Sequence, residues 1–127
     1  MTHHRQPTQY SCGPTCVAML LDVAVEDVRS EAFAVRRDQR SLIQKEGTTV
    51  AEMARLLAPR YRVGRRLLGA PGTDVPLALL RLQRPRHRNW HWAVWRDGLV
   101  YNPLADCPRP ITPDEAARAS YYEVEPQ

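Results

Sequence analysis

Apolar and polar positions along the chain separate into a helical first part and a strand-rich later part. After a polar start, Cys16 and Met19 begin an apolar run at helical spacing, which predicts a buried helix from about Cys12 to Val23. Pro14 suits the first turn of such a helix, because the backbone N–H that proline lacks has no partner there. The pattern therefore places one buried helix close to the N-terminus.

Two further helices are predicted before the strands begin. One covers about Val25 to Val35, where acidic residues stand near the start and favour a helix N-terminus. The other begins after Thr49, because Thr49 and Glu52 stand three residues apart, as in a capping box. Its apolar positions continue until Pro59, which ends the helix.

Two segments in the middle of the chain are predicted to be a strand and a short helix. Tyr61 to Leu68 alternates loosely between apolar and polar residues and is followed by Gly69, which predicts a strand. Val75 to Leu82 is richer in leucine, and we expect a short helix or helical turn that ends before Pro85.

The last third of the chain has the pattern of an antiparallel sheet. Trp90 to Trp95 is rich in aromatic residues and predicts a strand, Asp97-Gly98 is a strong hairpin turn, and Leu99 to Asn102 is the returning strand. A short helix opens at Pro113, and Tyr121 to Val124 is expected to close the sheet. Helices followed by an antiparallel sheet predict an α+β fold, within a single domain covering residues 1–127.

Composition narrows the class of protein. The chain has 127 residues, of which 43% are hydrophobic and 25% charged, as in ordinary globular domains. No apolar run is long enough for a membrane span, and we expect no secretory signal. The expected location is the cytoplasm, or outside the cell as an effector without a signal peptide of the usual kind. The net charge of +4 is too small to indicate nucleic-acid binding, and three cysteines predict free thiols.

Cys12 is the candidate nucleophile, because it stands where the polar start gives way to the buried helix. The thiolate is the reactive form of cysteine, and the positive end of a helix dipole stabilises it. Gln6 could donate its side-chain amide to an oxyanion, while the Cys12 backbone N–H donates a second bond. Gln9 is the alternative oxyanion donor, and Cys16, one turn further on, is expected in the core.

His91 is the candidate base and Asn102 the residue that orients it. The Asp97-Gly98 hairpin pairs residues whose numbers sum to about 195, so we expect a small register shift to bring His91 and Asn102 side by side. An asparagine carbonyl can accept from an imidazole N–H, as a carboxylate can. Asp106 is the rival orienting residue, and His87, in a basic loop, is a weaker candidate base.

Together these segments resemble papain-like cysteine peptidases, and specifically the bacteriocin leader-processing peptidases. The resemblance rests on four short segments at the two ends of the chain: Gln6, Cys12-Gly13-Pro14-Thr15-Cys16, His91-Trp92-Ala93-Val94 and Val100-Tyr101-Asn102-Pro103. It implies a papain-like fold, in which a helix carrying the nucleophile packs on an antiparallel sheet carrying His91 and Asn102. That family usually has Asp where this chain has Asn102, although papain itself uses Asn in this role.

The resemblance also implies an activity. The expected enzyme is a cysteine hydrolase that cleaves a peptide or isopeptide bond through a Cys12–His91–Asn102 triad and an acyl-enzyme intermediate. Gln6 would complete the oxyanion site, a peptide or protein would be the substrate, and no cofactor would be needed. The same triad would serve an acyl transferase, and a non-catalytic module of the same fold would bind a peptide segment in its cleft.

Two other kinds of site compete with this interpretation. A metal could be held by Cys12, Cys16 and His91, although the spacing lacks the two compact ligand pairs of zinc sites. A basic stretch with aromatic residues after it could bind nucleic acid, line the rim of a cleft that favours acidic substrates, or be a solvated loop. That stretch contains Arg81, Arg84, Arg86 and Arg88. We expect His3 and His4, near the terminus, to be disordered.

Overall fold

The computed structural model describes residues 1–7, 11–35, 49–83 and 90–127. In this part of the chain there are helices and strands in the order expected of an α+β protein. The helices are α1 (Cys12–Leu21), α2 (Val25–Val35), α3 (Val50–Leu57) and α4 (Pro113–Ala117). The strands are β1 (Tyr61–Leu68), β2 (Leu77–Gln83), β3 (Trp90–Arg96), β4 (Leu99–Tyr101) and β5 (Ala119–Pro126).

The five strands form one antiparallel sheet in the order β1-β5-β2-β3-β4. This confirms the α+β class and the antiparallel sheet predicted from the sequence. Helix α1 packs against β3, and α2 and α3 pack against α1. None of the helices in the described ranges is long and apolar enough to cross a lipid bilayer.

The predicted N-terminal helix is confirmed, and it ends two residues early. Every residue of α1 from Cys12 to Leu20 is buried, so this helix lies at the centre of the helical layer. Asp22 adopts the left-handed conformation (φ 58°, ψ 47°), and its N–H bonds to the Ala18 carbonyl. A left-handed residue at this position closes a helix, which is why α1 does not continue to Val23.

The predictions for the other two helices are also confirmed. Helix α2 has the predicted bounds, and the capping box of α3 is present. The Glu52 N–H donates to Thr49 Oγ1 at 3.3 Å, and the Thr49 N–H donates to Glu52 Oε1 at 3.0 Å. Helix α4 starts with the same reciprocal bonds between Thr112 and Glu115.

The prediction of a helical turn over Val75 to Leu82 is wrong. Leu77–Gln83 is the middle strand of the sheet, paired on one side with β3 and on the other with β5. Both faces of a middle strand are covered, so its apolar residues form a continuous run instead of alternating. A short apolar run of this kind cannot be separated from a buried helix by its pattern alone.

The strands of the C-terminal third are confirmed, and the last one is longer than predicted. Asp97 and Gly98 both have positive φ, 49° and 86°, as a tight two-residue hairpin requires. The last strand runs from Ala119 to Pro126, longer than predicted, and lies between β1 and β2. The pairing of β5 with two neighbours explains its length.

The sheet has a separate apolar cluster on each face. The cluster on the helical face includes Cys12, Cys16, Val17, Met19, Met53, Leu57, Leu79, Trp92, Val94, Tyr122 and Val124. The cluster on the opposite face includes Val75, Ala78, Leu80, Leu82, Ala93, Trp95, Val100 and Ala119. Because neighbouring residues of a strand point to opposite faces, this division assigns each sheet side chain to one face.

Candidate functional site

His91 and Asn102 form a buried side-chain pair. His91 Nε2 and Asn102 Oδ1 are 2.7 Å apart, and the two residues are 4% and 9% exposed. The Leu104 backbone N–H donates to the same Oδ1 at 2.9 Å. An N–H can bond only to the oxygen of the amide, so Leu104 fixes which amide atom faces His91.

This network sets the protonation of the imidazole. Because Asn102 Oδ1 accepts, His91 Nε2 carries the hydrogen. In the neutral ring the other nitrogen, Nδ1, then has the lone pair. Nδ1 is therefore the atom of His91 suited to take a proton from a nucleophile.

The pair forms without the register shift predicted from the sequence. Val94 pairs with Tyr101 and Trp95 with Val100, so the numbers of paired residues sum to 195 throughout β3 and β4. In this register Asn102 follows β4 opposite Ala93, two residues from His91 on the same face. The two side chains meet on a diagonal, a separation that long side chains can bridge.

Asp106 does not orient His91. Its carboxylate pairs with Arg5, and its side chain is 83% exposed. The structure therefore places Asn102, and not Asp106, on the imidazole.

The N-terminal segment lies against the backbone that follows β4. His3 Nε2 donates to the Asn102 carbonyl at 2.8 Å, and its ring lies 6.1 Å from that of Tyr101. The Gln6 N–H donates to the Pro103 carbonyl at 2.9 Å, and Gln6 Oε1 is buried. The structure thus places His3 and Gln6 beside the backbone of Asn102 and Pro103.

Cys12 is the first residue of α1, as predicted, and is 6% exposed. The first turn of α1 contains no acidic residue, so no carboxylate offsets the positive end of the helix dipole. Thr15 bonds through both its N–H and its hydroxyl to the Ser11 carbonyl, at 3.0 and 2.7 Å, which fixes this turn. A thiolate at Cys12 would lie in a favourable field.

The second cysteine of α1 is a core residue, as predicted. Cys16 has no exposed surface, and burial raises the pKa of its thiol well above the usual value. A thiolate on Cys12 raises the pKa of Cys16 further, so the two thiols interact. Cys16 is thereby kept neutral, whereas Cys107 is exposed.

Cys12 and His91 approach the sheet from different sides. Helix α1 packs on the face of Trp92 and Val94, whereas alternation directs His91 to the face of Ala93 and Trp95. His91 is the second residue of β3. A thiol and an imidazole on these elements would have to meet around the end of the strand.

Sequence reasoning missed three partners of Asn102, namely Leu104, Ala105 and His3. A signal existed for the first, since Asn followed by Pro favours a turn in which the Asn side chain bonds the backbone two residues on. No local pattern indicates the bond from His3, because 99 positions separate it from its partner.

Several other candidates from the sequence lie outside the residues that the structure describes. They are Gln9, Arg84, Arg86, His87 and Arg88. Arg81 is in β2 with its guanidinium over Trp92, so it does not belong to a solvated loop. Within the described residues, no group of three or more His, Cys, Asp or Glu side chains is arranged to hold a metal ion.

Comparison with known proteins adds no relative to this picture. No protein-family model, curated protein or solved structure matches the chain.

Proposed function

We propose that this protein is a papain-like cysteine hydrolase that cleaves a peptide or isopeptide bond. Cys12 is the nucleophile, His91 the general base and Asn102 the residue that holds the imidazole. The observation that carries the proposal is the buried bond from His91 Nε2 to Asn102 Oδ1 at 2.7 Å. It directs a basic nitrogen away from the asparagine, as a catalytic histidine needs.

The proposed reaction begins with transfer of the Cys12 thiol proton to His91 Nδ1. The thiolate attacks the carbonyl carbon of the substrate, and the resulting oxyanion is bound by the Cys12 N–H and the Gln6 side-chain amide. His91 then gives its proton to the leaving amine, and an acyl group remains on Cys12. Water attacks this thioester, His91 takes the proton of the water, and the acid is released.

Two features support the assignment of these roles. Cys12 begins a buried helix without acidic residues in its first turn, which favours the thiolate. The backbone of Gln6 is bonded to Pro103, next to Asn102, so the proposed oxyanion donor lies near the residue that holds the imidazole.

The decisive experiment is site-resolved alkylation by iodoacetamide as a function of pH, followed by mass spectrometry. In the wild-type protein we expect rapid labelling of Cys12 already near pH ~6, although this thiol is almost buried. His91→Ala should abolish that labelling at low pH. If Cys12 labels only above pH ~8 and equally in both proteins, it is a structural thiol and the proposal is wrong.

The chain supplies two internal controls. Cys107 is exposed and Cys16 is buried. Cys107 reports how an accessible thiol reacts with the reagent, and Cys16 should stay unlabelled in the folded protein. The Cys107 rate should be unaffected by His91→Ala.

A further inference from the structure

Arg81 is a charged residue on the helical face of the middle strand. In the register of the sheet it lies between Trp92 of β3 and Ser120 of β5. Its guanidinium stands over the Trp92 ring, 6.0 Å from the centroid. A partly buried guanidinium therefore lies on the face of the sheet that carries the helices.

Ser120 is the cross-strand neighbour of Arg81 and points to the same face. The residue is 1% exposed, and its hydroxyl has no hydrogen-bond partner among the residues that the structure describes. A buried hydroxyl without a partner is destabilising by about 1–3 kcal/mol. Such an atom needs an explanation, and a ligand that bonds to it is one.

Arg66 adds a second positive charge to this corner of the sheet. It pairs in register with Tyr122, so its side chain is on the same face as Arg81. Burial, above all, lowers the pKa of Arg81, and the charge of Arg66 lowers it further, whereas Tyr122 raises it. An anion on this face would be attracted by both guanidinium groups.

The β1 end of this row of side chains is exposed. Leu68, the β1 partner of Ser120, is 84% exposed. On the other side, Trp92 belongs to the same buried cluster as Cys12. The row Leu68, Ser120, Arg81, Trp92 thus runs from an exposed side chain into the apolar cluster that also contains Cys12.

We propose that Arg81, Arg66 and Ser120 form a subsite that binds a carboxylate of a peptide substrate. A guanidinium matches the geometry of a carboxylate, and the serine hydroxyl supplies one further donor. The subsite would give the proposed hydrolase a preference for acidic peptides. Its relevance to catalysis rests on the proposed function. Its binding of carboxylates is independent of catalysis and can be tested separately.

The test measures binding to the full-length Cys12→Ala protein by NMR. Three peptides are compared: end-blocked Ala-Ala-Glu-Ala-Ala, its Gln counterpart, and Ala-Ala-Ala-Ala-Ala blocked only at the N-terminus. We expect the Glu peptide to bind roughly 10-fold more tightly than the Gln peptide and to shift the Arg81 Nε–H resonance. If the free C-terminal carboxylate is the true ligand, the third peptide binds more tightly than the Glu peptide.

Variants assign the effect to the subsite. Ser120→Ala removes a hydroxyl without a partner, so it should leave the free energy of unfolding unchanged or higher while reducing the preference for carboxylate. Arg81→Lys and Arg66→Gln should also reduce it. Arg62→Gln is the matched control, because Arg62 lies on the same strand as Arg66, points to the other face and pairs with Glu125.

The outcomes separate the subsite from the proposed function. Equal affinities for all three peptides, no binding of any at millimolar concentration, or a preference unchanged in the Ser120 and Arg81 variants would overturn the subsite. If the preference depends on these residues but alkylation shows that Cys12 of the wild-type protein is not activated, the subsite is supported and the hydrolase is refuted. Hydrolysis of peptides with no preference for a carboxylate would support the hydrolase and refute the subsite.

Discussion

The imidazole of His91 reaches the side chain of Asn102 across a diagonal of the β3–β4 hairpin. The pair is buried, and Asn102 Oδ1 also accepts the Leu104 N–H, so one oxygen holds both a side chain and a turn. The backbone carbonyl of Asn102 accepts from His3 and from the Ala105 N–H. Asn102 is therefore the point where the sheet, the following turn and the N-terminal segment meet.

Replacing Asn102 should affect both stability and the state of His91. Asn102→Ala leaves the buried His91 N–H and the partly buried Leu104 N–H without their acceptor, and we expect a loss of about 1–3 kcal/mol in the free energy of unfolding. In NMR spectra of the neutral ring, the hydrogen should be on Nε2 in the wild type and shared between the two nitrogens in the variant. Asn102→Asp keeps the acceptor and should shift the titration of His91 to higher pH, because a carboxylate favours the imidazolium.

Asp106→Ala is the control for these measurements. Asp106 pairs with Arg5 at the surface, and exposed pairs contribute little. We expect unfolding within about 0.5 kcal/mol of the wild type and an unchanged His91 spectrum. An effect of Asp106→Ala on His91 as large as that of Asn102→Ala would refute the assignment of Asn102.

Glu115 should make stability depend on pH at acid values. Its carboxylate binds both Nη atoms of Arg109 at 2.8 and 2.9 Å and caps α4. The Arg109 guanidinium, chiefly, lowers the pKa of Glu115 to about 2 from 4.5. Because the folded protein holds the carboxylate charged, the stabilisation is complete above pH 4.5 and is lost as pH falls towards 2.

Glu115→Gln tests this dependence. The variant should unfold more easily than the wild type at pH ~7, by about 1–2 kcal/mol, and the difference should disappear near pH ~2. Because Arg109 pairs through its backbone with Val100 of β4, loosening of the strand before Asn102 is expected too. Glu125→Gln, which disrupts only the exposed pair with Arg62, should change stability by less than about 0.5 kcal/mol. A difference for Glu115→Gln that does not depend on pH would contradict the ion pair.

Local rules were sufficient to predict the elements that carry the candidate site. The Asp97-Gly98 turn needs two positive φ values and sets the pairing of β3 with β4, so the hairpin followed from two residues, although the small register shift expected for His91 and Asn102 does not occur. The position of Cys12 at the start of α1 followed from the change from polar to apolar residues. These features depend on residues that are close together in the sequence, so they can be predicted from it.

The features that were missed depend on distant partners. Leu77–Gln83 is a strand because β3 and β5 lie on its two sides, and its own pattern is equally compatible with a helix. The bond from His3 to Asn102 joins opposite ends of the chain. The position of Arg81 next to Ser120 exists only once β5 has been inserted beside β2.

The hairpin turn should be sensitive at Gly98 and tolerant at Asp97. Gly98 has φ 86°, a conformation unfavourable for side chains branched at Cβ, so Gly98→Val should reduce the free energy of unfolding by about 1–2 kcal/mol. Asp97→Asn, at φ 49°, should be nearly neutral, because Asn tolerates this region. Urea unfolding measures both. Equal losses in the two variants would show that the turn does not impose this requirement.

Gln6 should act on turnover without acting on the thiolate. An oxyanion donor bonds only to charge that develops in the transition state, so Gln6→Ala should lower kcat on the order of 100-fold. The alkylation of Cys12 at low pH should stay as in the wild type, because thiolate formation requires His91 and the helix terminus but no oxyanion. The Gln6 backbone bond to Pro103 survives the substitution, which leaves the N-terminal segment in place. If Gln6→Ala suppressed both turnover and alkylation, Gln6 would position Cys12 or His91, and the oxyanion would have to be bound by another donor.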